Sequence, residues 1–207
     1  LWRTRTLAQR LKTRRSAQPG RKKMLIRSEL ITPASSEQIT LNEAKAHLRV
    51  EHSADDTLIS SLIGVARDEA EAICGRRFGS QTWKLYFDRF EKIKLHGCGV
   101  VSTATLYWRD QNGDWQQLSS DQYEIVKAVP AYVFYKDDFN VPTTGDFGEI
   151  VRIDVSCGET AAKGVKAWML LRIGTLYENR EADGERRVEP HDFVPNLLAA
   201  HRVIDFS

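Results

Sequence analysis

The residues that could carry out chemistry in this sequence are its histidines, its cysteines and its paired acids. The histidines lie in no HExxH or HxH pattern, and His96 and Cys98 are too close together and too isolated to form a zinc site without other ligands. The cysteines are odd in number and lack metal-binding or redox spacing, so we expect reduced thiols that fill the core. These residues are His47, His52, His96, His191, His201, Cys74, Cys98 and Cys157. The sequence therefore predicts no metal ion and no cofactor.

Two pairs of adjacent acids, Asp55-Asp56 and Asp137-Asp138, have the chemistry to hold a cation. The first pair is better explained as the start of a helix and the second as part of a polar loop. The sequence also contains no GxSxG nucleophile motif and no Walker-type phosphate loop. We therefore expect a protein without enzymatic activity.

Two consecutive helices organise the first part of the chain. Thr40 and Glu43 have the spacing of a capping box, which predicts a helix that begins at Leu41. Asp55 and Asp56 predict the start of a second helix, which extends to Gly75 with one apolar face. That face consists of Leu58, Ile59, Leu62, Ile63, Ala66, Ala70 and Ile73. The pattern indicates an antiparallel helix pair.

The period of the pattern changes from 3.6 to 2 after residue 79, which predicts six or seven short strands. We expect strands near residues 83–87, 93–95, 101–109, 115–118, 123–126, 132–135 and 150–155. Residues 136–148 form a polar loop, whose aromatic residues Phe139 and Phe147 indicate a binding surface.

Residues 165–179 predict a late helix that is apolar on nearly all sides, which indicates that it is covered on two sides. Residues 196–201 are apolar but too few for an isolated helix, so they need a surface of their own chain or of a neighbour. Together the patterns predict an α+β fold, with a small bundle of about three helices and an inserted antiparallel β domain. We expect boundaries at residues 1–38 (arm and linker), 39–79 and 159–189 (bundle), 80–158 (β insert) and 190–207 (a partner-binding segment).

Charge is distributed unevenly along the 207 residues, whose formal net charge is only +2. Residues 1–23 contain six arginines and three lysines without an acid, a charge of +9, whereas the remainder has 21 basic and 28 acidic residues, a charge of −7. The basic stretch is an accessory arm upstream of a start at Met24, a partner-bound arm, or a targeting peptide. No apolar run reaches the roughly 18 residues of a membrane span.

Three motifs resemble the phage head-to-tail connector family, whose members are also called adaptor or head completion proteins. Residues 39–78 carry ITL-EAK-HLRV, DD-LI--LI--A and E---GR-F in this order. Residues 177–181 read YENRE, which typically ends the late helix of the family, and residues 197–203 match its C-terminal segment except at Ala200-His201, where members often have Pro-Tyr.

The resemblance implies a structural subunit of a phage, prophage or gene transfer agent. Such subunits form a ring, twelvefold in the family, that docks under the portal, extends the DNA channel without sequence-specific binding, and offers a platform to a tail-side completion or terminator protein. It implies a place in the virion, assembly in the cytoplasm of the bacterial host, and no membrane contact.

Candidate contacts follow from this resemblance. Phe139, Val141 and Phe147 are candidate contacts for a neighbouring subunit or a tail component. The candidate portal-binding residues are Leu197, Leu198, His201, Arg202, Val203, Ile204 and Phe206. Asp68 and Glu71 are candidates to face the channel, where acids would not hold phosphates. Arg3, Arg5, Arg10, Arg14 and Arg15 are candidate arm contacts with an acidic protein patch. The alternative is a nucleic-acid-binding protein that uses this arm.

Overall fold

The computed structural model describes residues 25–179 and 197–203, and within them the chain forms three α-helices of eight residues or more, a helical turn at residues 197–199 and eight strands. The helices are α1 (Leu41–Leu48), α2 (Asp56–Cys74) and α3 (Lys163–Glu178). The strands are β1 (Leu25–Thr32), β2 (Gln81–Phe87), β3 (Ile93–Leu95), β4 (Val101–Arg109), β5 (Trp115–Gln117), β6 (Tyr123–Val126), β7 (Ala131–Tyr135) and β8 (Val151–Cys157). The predicted α+β class, a helical bundle combined with antiparallel sheets, is confirmed.

The capping box that the sequence predicts begins α1. The Thr40 hydroxyl accepts a hydrogen bond from the backbone N–H of Glu43, whose carboxylate accepts one from the Thr40 N–H at 2.7 Å. This bond holds the pKa of Glu43 below its ordinary value, because it favours the charged carboxylate. The next helix, α2, ends before Gly75, which has a left-handed φ of 64°.

Asp55 and Asp56 join helices together rather than capping α2 with a side-chain hydrogen bond. Asp55 occupies the N-cap position without such a bond, and its carboxylate instead accepts a hydrogen bond from the Tyr177 hydroxyl of α3. Asp56 forms an ion pair of 2.6 Å with Lys45 of α1. The predicted helix start at this acid pair is confirmed, with Asp55 as the N-cap residue and Asp56 as the acid of the first turn, although partners on the other helices take both carboxylates.

The three helices share one apolar core. It contains Ile39, Ala44, Ile59, Ile63, Ala66, Ala70, Cys74, Phe78, Ala161, Val165, Trp168, Met169, Ile173 and Leu198. Across this core, Arg172 of α3 forms a two-point ion pair with Glu69 of α2, at 2.6 and 2.9 Å. The long helix α2 is therefore fixed on one side by both of its helical neighbours.

Two antiparallel sheets share a second core. The five-stranded sheet has the order β1-β2-β8-β4-β5, and the three-stranded sheet has the order β3-β7-β6. Their inward residues, such as Leu106, Val133 and Ile153, belong to one buried cluster. The alternation read from the sequence therefore separates the covered face of each strand from the outer one.

The strand β1 was not predicted, since residues 26–39 read as a connector. Residues 25–32 pair antiparallel with β2 and form one edge of the five-stranded sheet. The β domain therefore includes a strand that precedes the bundle in sequence. The linker between the arm and α1 is limited to the residues after Thr32.

The bundle and the β domain meet where the chain enters and leaves residues 80–158. Gly79 donates a backbone hydrogen bond of 2.9 Å to Glu159, and Phe78 and Glu159 form a parallel bridge. Gly158 has a φ of +132°, and a Cβ there would lie 1.9 Å from the Gly79 carbonyl oxygen. Only glycine fits this crossing, and the two ends of the β region are adjacent, as the sequence predicts for an insert.

Candidate functional site

The candidate contact surfaces of this chain are on α2, in the loop at residues 136–148 and around the C-terminal residues. In the part of the chain that the structure describes, no group of three histidine, cysteine or acidic side chains is placed to hold a metal ion. Cys74, Cys98 and Cys157 are all buried and reduced. In the same part, no helix is both long enough and apolar enough to span a bilayer.

Glu71 does not face a channel, because its side chain is only 4% exposed. Its Oε1 accepts hydrogen bonds from the Phe78 backbone N–H at 2.8 Å and from Gln81 at 2.7 Å. Its Oε2 accepts one from Arg77 at 3.1 Å. The candidate role of Glu71 is therefore wrong, and the residue joins the end of α2 to the start of β2.

Asp68, the other channel candidate, is on the outer surface of α2. Its side chain is 70% exposed, and its Oδ1 accepts a hydrogen bond of 2.9 Å from Arg67. Arg67 in turn bonds Glu37, in the segment that precedes α1. Asp68 is thus an exposed acid on α2 that is paired with Arg67.

An apolar stripe remains uncovered on α2. Leu58, Val65 and Ile73 are between 36% and 44% exposed and recur every two turns along the helix. The sequence placed Leu58 and Ile73 on the face that packs inward, but the core takes only Ile59, Ile63 and their neighbours. We define Leu58, Val65 and Ile73 as the α2 stripe.

The C-terminal residues 197–203 pack on their own bundle. Leu198 is completely buried and Leu197 packs beside it, so neither is free to bind a portal in this arrangement. Val203 donates a backbone hydrogen bond of 2.8 Å to Cys74, at the end of α2. Of the two surfaces that the sequence leaves open for this segment, its own chain and a neighbour, the structure shows its own chain.

Two other candidate portal contacts remain at the surface here. Arg202 is exposed, and His201 is half-buried beside Gly164 of α3. The remaining candidates lie outside the described residues. They are Ile204 and Phe206, together with the arm residues Arg3, Arg5, Arg10, Arg14 and Arg15.

The loop at residues 136–148 exposes less aromatic surface than the sequence suggests. Phe139 stacks on Tyr135, with 4.6 Å between ring centroids, and belongs to the margin of the β core. Phe147 is half-buried, with the Arg109 guanidinium 4.1 Å from the centre of its ring. Val141 is 63% exposed. Of these three candidates, Val141 alone presents most of its side chain, since the two rings are held by the β domain.

The outer face of the five-stranded sheet carries a row of stacked arginines and aromatic rings that sequence reasoning missed. Arg27, Tyr86, Arg152 and Tyr107 are register neighbours on β1, β2, β8 and β4. The Arg27 guanidinium lies 3.5 Å from the Tyr86 ring centre, and that of Arg152 lies 4.0 Å from the Tyr107 ring centre. The available signal was the outward position of both tyrosines in their strands. These stacks cover a sheet face with cation–π contacts.

Residues 38–137 match the family model of the phage gp6-like head-tail connector proteins. This segment runs from the residue before the bundle core to the loop after β7, so it includes α1, α2 and most of the β domain. Over these residues the chain is similar to the phage head-tail connector family. The resemblance that the sequence motifs show to this family is thereby confirmed.

The fold of the chain is similar to that of proteins in the neck of gene transfer agent (GTA) particles. One chain is from the neck of an empty GTA particle computed with C6 symmetry, with a TM-score of 0.74 and 16% identity. Two others are from the virion of a native GTA particle and from the neck of a native particle computed with C12 symmetry, each with a TM-score of 0.71 and 17% identity. All three matches cover 88% of this chain and 98% of the other chain. Comparison with curated protein sequences finds no match.

Proposed function

We propose that this chain is a structural head-to-tail connector subunit of a tailed phage, prophage or gene transfer agent. In this function, copies form a ring under the portal, extend the DNA channel and provide the platform to which the tail attaches. The observation that carries the proposal is the family match over residues 38–137, since it concerns connector proteins themselves. The fold likeness over 88% of the chain supports the same assignment for the whole subunit.

The ring is proposed to contain twelve subunits. One chain of similar fold belongs to a neck computed with C12 symmetry, which supports this number. Physical support comes from the α2 stripe, because an uncovered apolar stripe on a rigid helix is expected where copies touch. We propose that α2 and α3 build the ring wall.

The partners proposed for the ring are the portal on one side and a tail-side completion or terminator protein on the other. Exposed Arg202 and half-buried His201 are the described C-terminal side chains that remain available to the portal. Val141 is the described loop residue with the most exposed apolar side chain, and we assign it to a neighbour or a tail component. The ring belongs to the virion and assembles in the cytoplasm of the bacterial host.

DNA is proposed to pass through this ring without being held. Each Lys or Arg that neutralises a phosphate adds salt-dependent affinity, which would hinder sliding. The charge of −7 after residue 23 suits such a channel, with Asp68 facing it. We assign residues 1–23 to an acidic protein patch outside the channel, where arginines can form paired hydrogen bonds with carboxylates.

Electron microscopy of the purified protein, alone and with the portal of the same particle, tests the ring. We expect closed rings that stack coaxially on the portal. A protein that stays monomeric with portal present and binds a particular DNA sequence would instead support the nucleic-acid-binding alternative, and would count against the connector.

A further inference from the structure

Two of the three cysteines, Cys98 and Cys157, lie against each other inside the β domain. Cys157 is the last residue of β8 and the register partner of Val101 at the start of β4. Cys98 precedes Val101 by three residues, in the turn between β3 and β4. The two thiols are hydrogen-bonded to each other, and both residues belong to the apolar core of the β domain. The third cysteine, Cys74, belongs to the core of the bundle.

The backbone around Cys98 holds this turn against the end of β8. Gly97 and Gly99 have left-handed φ values of 71° and 62°, so the chain turns on both sides of Cys98. The backbone N–H of Gly158 donates a hydrogen bond of 3.0 Å to the Val100 carbonyl, which ties the turn to the strand end. Two hydrogen-bonded sulfurs are about 2 Å farther apart than in a disulfide, whose S–S bond is about 2.05 Å long. A small shift of the turn is therefore enough to join them.

A guanidinium beside the thiol pair favours the thiolate form that oxidation requires. Arg77 lies at the turn, since a Cβ on Gly97 would be 3.7 Å from its Nη2, and its charge favours ionisation of both thiols. The hydrogen bond from Cys157 holds the pKa of Cys98 below its ordinary value, against the effect of burial. The same hydrogen bond, together with burial, raises the pKa of Cys157. Cys98 is therefore the thiol that ionises first and acts as the nucleophile.

Two other side chains hold Arg77 in this position. Its Nη1 donates a hydrogen bond of 3.1 Å to Glu71, and its guanidinium lies 4.3 Å from the centre of the Trp83 ring. The positive charge therefore stays beside the thiols, although the Glu71 carboxylate opposes its effect on Cys157.

A small cavity lies beside the turn. It has a volume of about 100 Å³, and its wall includes Gly97 and Gly99, on either side of Cys98. A water molecule takes up about 30 Å³ in the liquid, so the cavity has room for a molecule of the size of hydrogen peroxide. Because Cys98 and Cys157 are each only 2% exposed, a bulky oxidant such as a peptide disulfide does not reach them in the folded protein.

We propose that Cys98 and Cys157 are a modification site at which hydrogen peroxide closes a disulfide within the chain. The Cys98 thiolate attacks one peroxide oxygen, the O–O bond breaks, and the leaving hydroxide takes up the proton that Cys98 released, which gives water and a sulfenic acid. The Cys157 sulfur then attacks the sulfenic sulfur, the S–O bond breaks, and hydroxide leaves with the Cys157 proton as a second water. The two thiols lose two electrons, and the peroxide gains them. The reaction needs no partner subunit, so it does not depend on the connector assignment.

The disulfide fastens the β domain close to where it joins the bundle. The closed loop runs from residue 98 to residue 157 and contains β4 to β8. A cross-link over a loop of this length restricts the unfolded chain, so we expect the oxidised protein to melt at least about 4 °C higher than the reduced protein. Reduction with a phosphine should restore the original melting temperature. An oxidised protein in which these cysteines are joined but which melts no higher would contradict this consequence.

Peptide mapping of the full-length native protein tests the site. The reduced chain is treated with hydrogen peroxide, the remaining thiols are alkylated after denaturation, and trypsin digestion proceeds without a reductant. We expect residues 95–109 and 153–163 in one product, lighter by two hydrogens than the two reduced peptides together. Residues 68–76 contain the internal control, because Cys74 is only 1% exposed but lies in the bundle core and should remain alkylated. In urea all pairings of the three cysteines should appear, whereas the native protein should give this pairing in at least about tenfold excess.

Every other result of the map overturns the proposal. Oxidation of Cys74 to the same extent would mean that peroxide reaches buried thiols without selection. Disulfides between two chains, or Cys98 and Cys157 left unjoined, would mean that the folded turn does not bring the two sulfurs together. A joined product that appears only in urea would mean the same.

Serine variants test the order of attack. Cys157→Ser removes the second thiol, so the sulfenic acid on Cys98 should persist and react with dimedone. Cys98→Ser should take up at least about tenfold less dimedone, because Cys157 keeps its proton. Cys74→Ser is the matched control and should form the disulfide as the wild type does. Equal labelling of the first two variants would overturn the order of attack. The peptide map and the melting shift of the wild type need no substitution, so they decide the proposal even where a serine variant does not fold.

Discussion

Glu71 is a buried carboxylate whose partners belong to two elements. It accepts bonds from the Phe78 backbone, from Gln81 and from Arg77, all of which follow α2 in sequence. Since the β domain begins at this point, the carboxylate fixes the angle at which the chain leaves the bundle. A ring that uses α2 as its wall, as proposed above, depends on this angle.

Replacing Glu71 by alanine should lower the free energy of unfolding by about 3 kcal/mol, because three donors lose their buried acceptor. Chemical denaturation with urea measures this change. Asp68→Ala is the matched control, three residues earlier on the same helix but 70% exposed, and should change stability by less than about 0.5 kcal/mol. Equal effects of the two variants would contradict the role given to Glu71.

The sequence predicts individual contacts where both partners are close along the chain. Thr40 and Glu43 are three residues apart, so their capping box could be predicted and is present. The burial of Glu71 could not, because it depends on how the chain turns after Gly75. The helical pattern likewise could not divide the apolar sector of α2 into a covered part and the exposed stripe, since the position of α3 decides it.

At the scale of elements, residues 197–203 are part of the bundle rather than a free tail. Leu198 is completely buried against the helices, and Val203 bonds the last residue of α2. The last described residues therefore belong to the same apolar core as α2 and α3. Removing residues 190–207 should therefore lower the melting temperature.

Leu198→Ala should lower the free energy of unfolding by about 3 kcal/mol, since a leucine buried in a packed core leaves a cavity. Differential scanning calorimetry gives the shift in melting temperature. Arg202→Ala, on an exposed neighbour, serves as the control and should leave the melt unchanged while weakening any portal contact. An unchanged melt for Leu198→Ala would show that the segment is not part of the folded bundle.

Strands were predicted well where the period-2 alternation is local. The predicted bounds of β4 and β6 agree with the structure. The strand β1 was missed because LIRSELIT shows little alternation, and its conformation depends on pairing with β2, more than fifty residues away. Edge strands exposed on both faces lack the burial pattern from which strands are read.

The β region between Gly79 and Gly158 is expected to be separable from the bundle. Replacing residues 80–157 by a short Gly/Ser linker should leave a helical protein, because the two ends already lie within one hydrogen bond of each other. Far-ultraviolet circular dichroism measures the retained helix. Complete loss of the helical signal would contradict separability. Residues 25–32 lose their partner in this variant, so deleting them as well is the appropriate control.

At the scale of the whole molecule, the formal net charge differs in sign between the arm, residues 1–23, and the body, residues 24–207. A body of charge −7 and an arm of charge +9 are expected at different places in a particle that DNA traverses. The sequence could predict this separation and the family, because both depend on composition and on motifs. It could not predict which surfaces join copies, since exposed apolar residues become visible only once the fold covers the others.

Asp68→Lys should increase the retention of DNA in assembled rings and make it more salt-dependent, because a lysine in the channel adds a phosphate contact. Filter binding of DNA to rings at several salt concentrations gives the slope of the logarithm of the binding constant against the logarithm of the salt concentration. Asp121→Lys makes the same change of charge in the β domain and should have a smaller effect. An identical slope for both variants would contradict the position of Asp68 in the channel.

A cryo-electron microscopy map of the neck of the parent particle tests the connector assignment most directly. The account predicts a closed ring of this chain between portal and tail, with Asp68 towards the DNA and residues 1–23 outside the channel. A neck without this chain would contradict the connector assignment. An arm that lines the channel and touches DNA would instead favour the nucleic-acid-binding alternative.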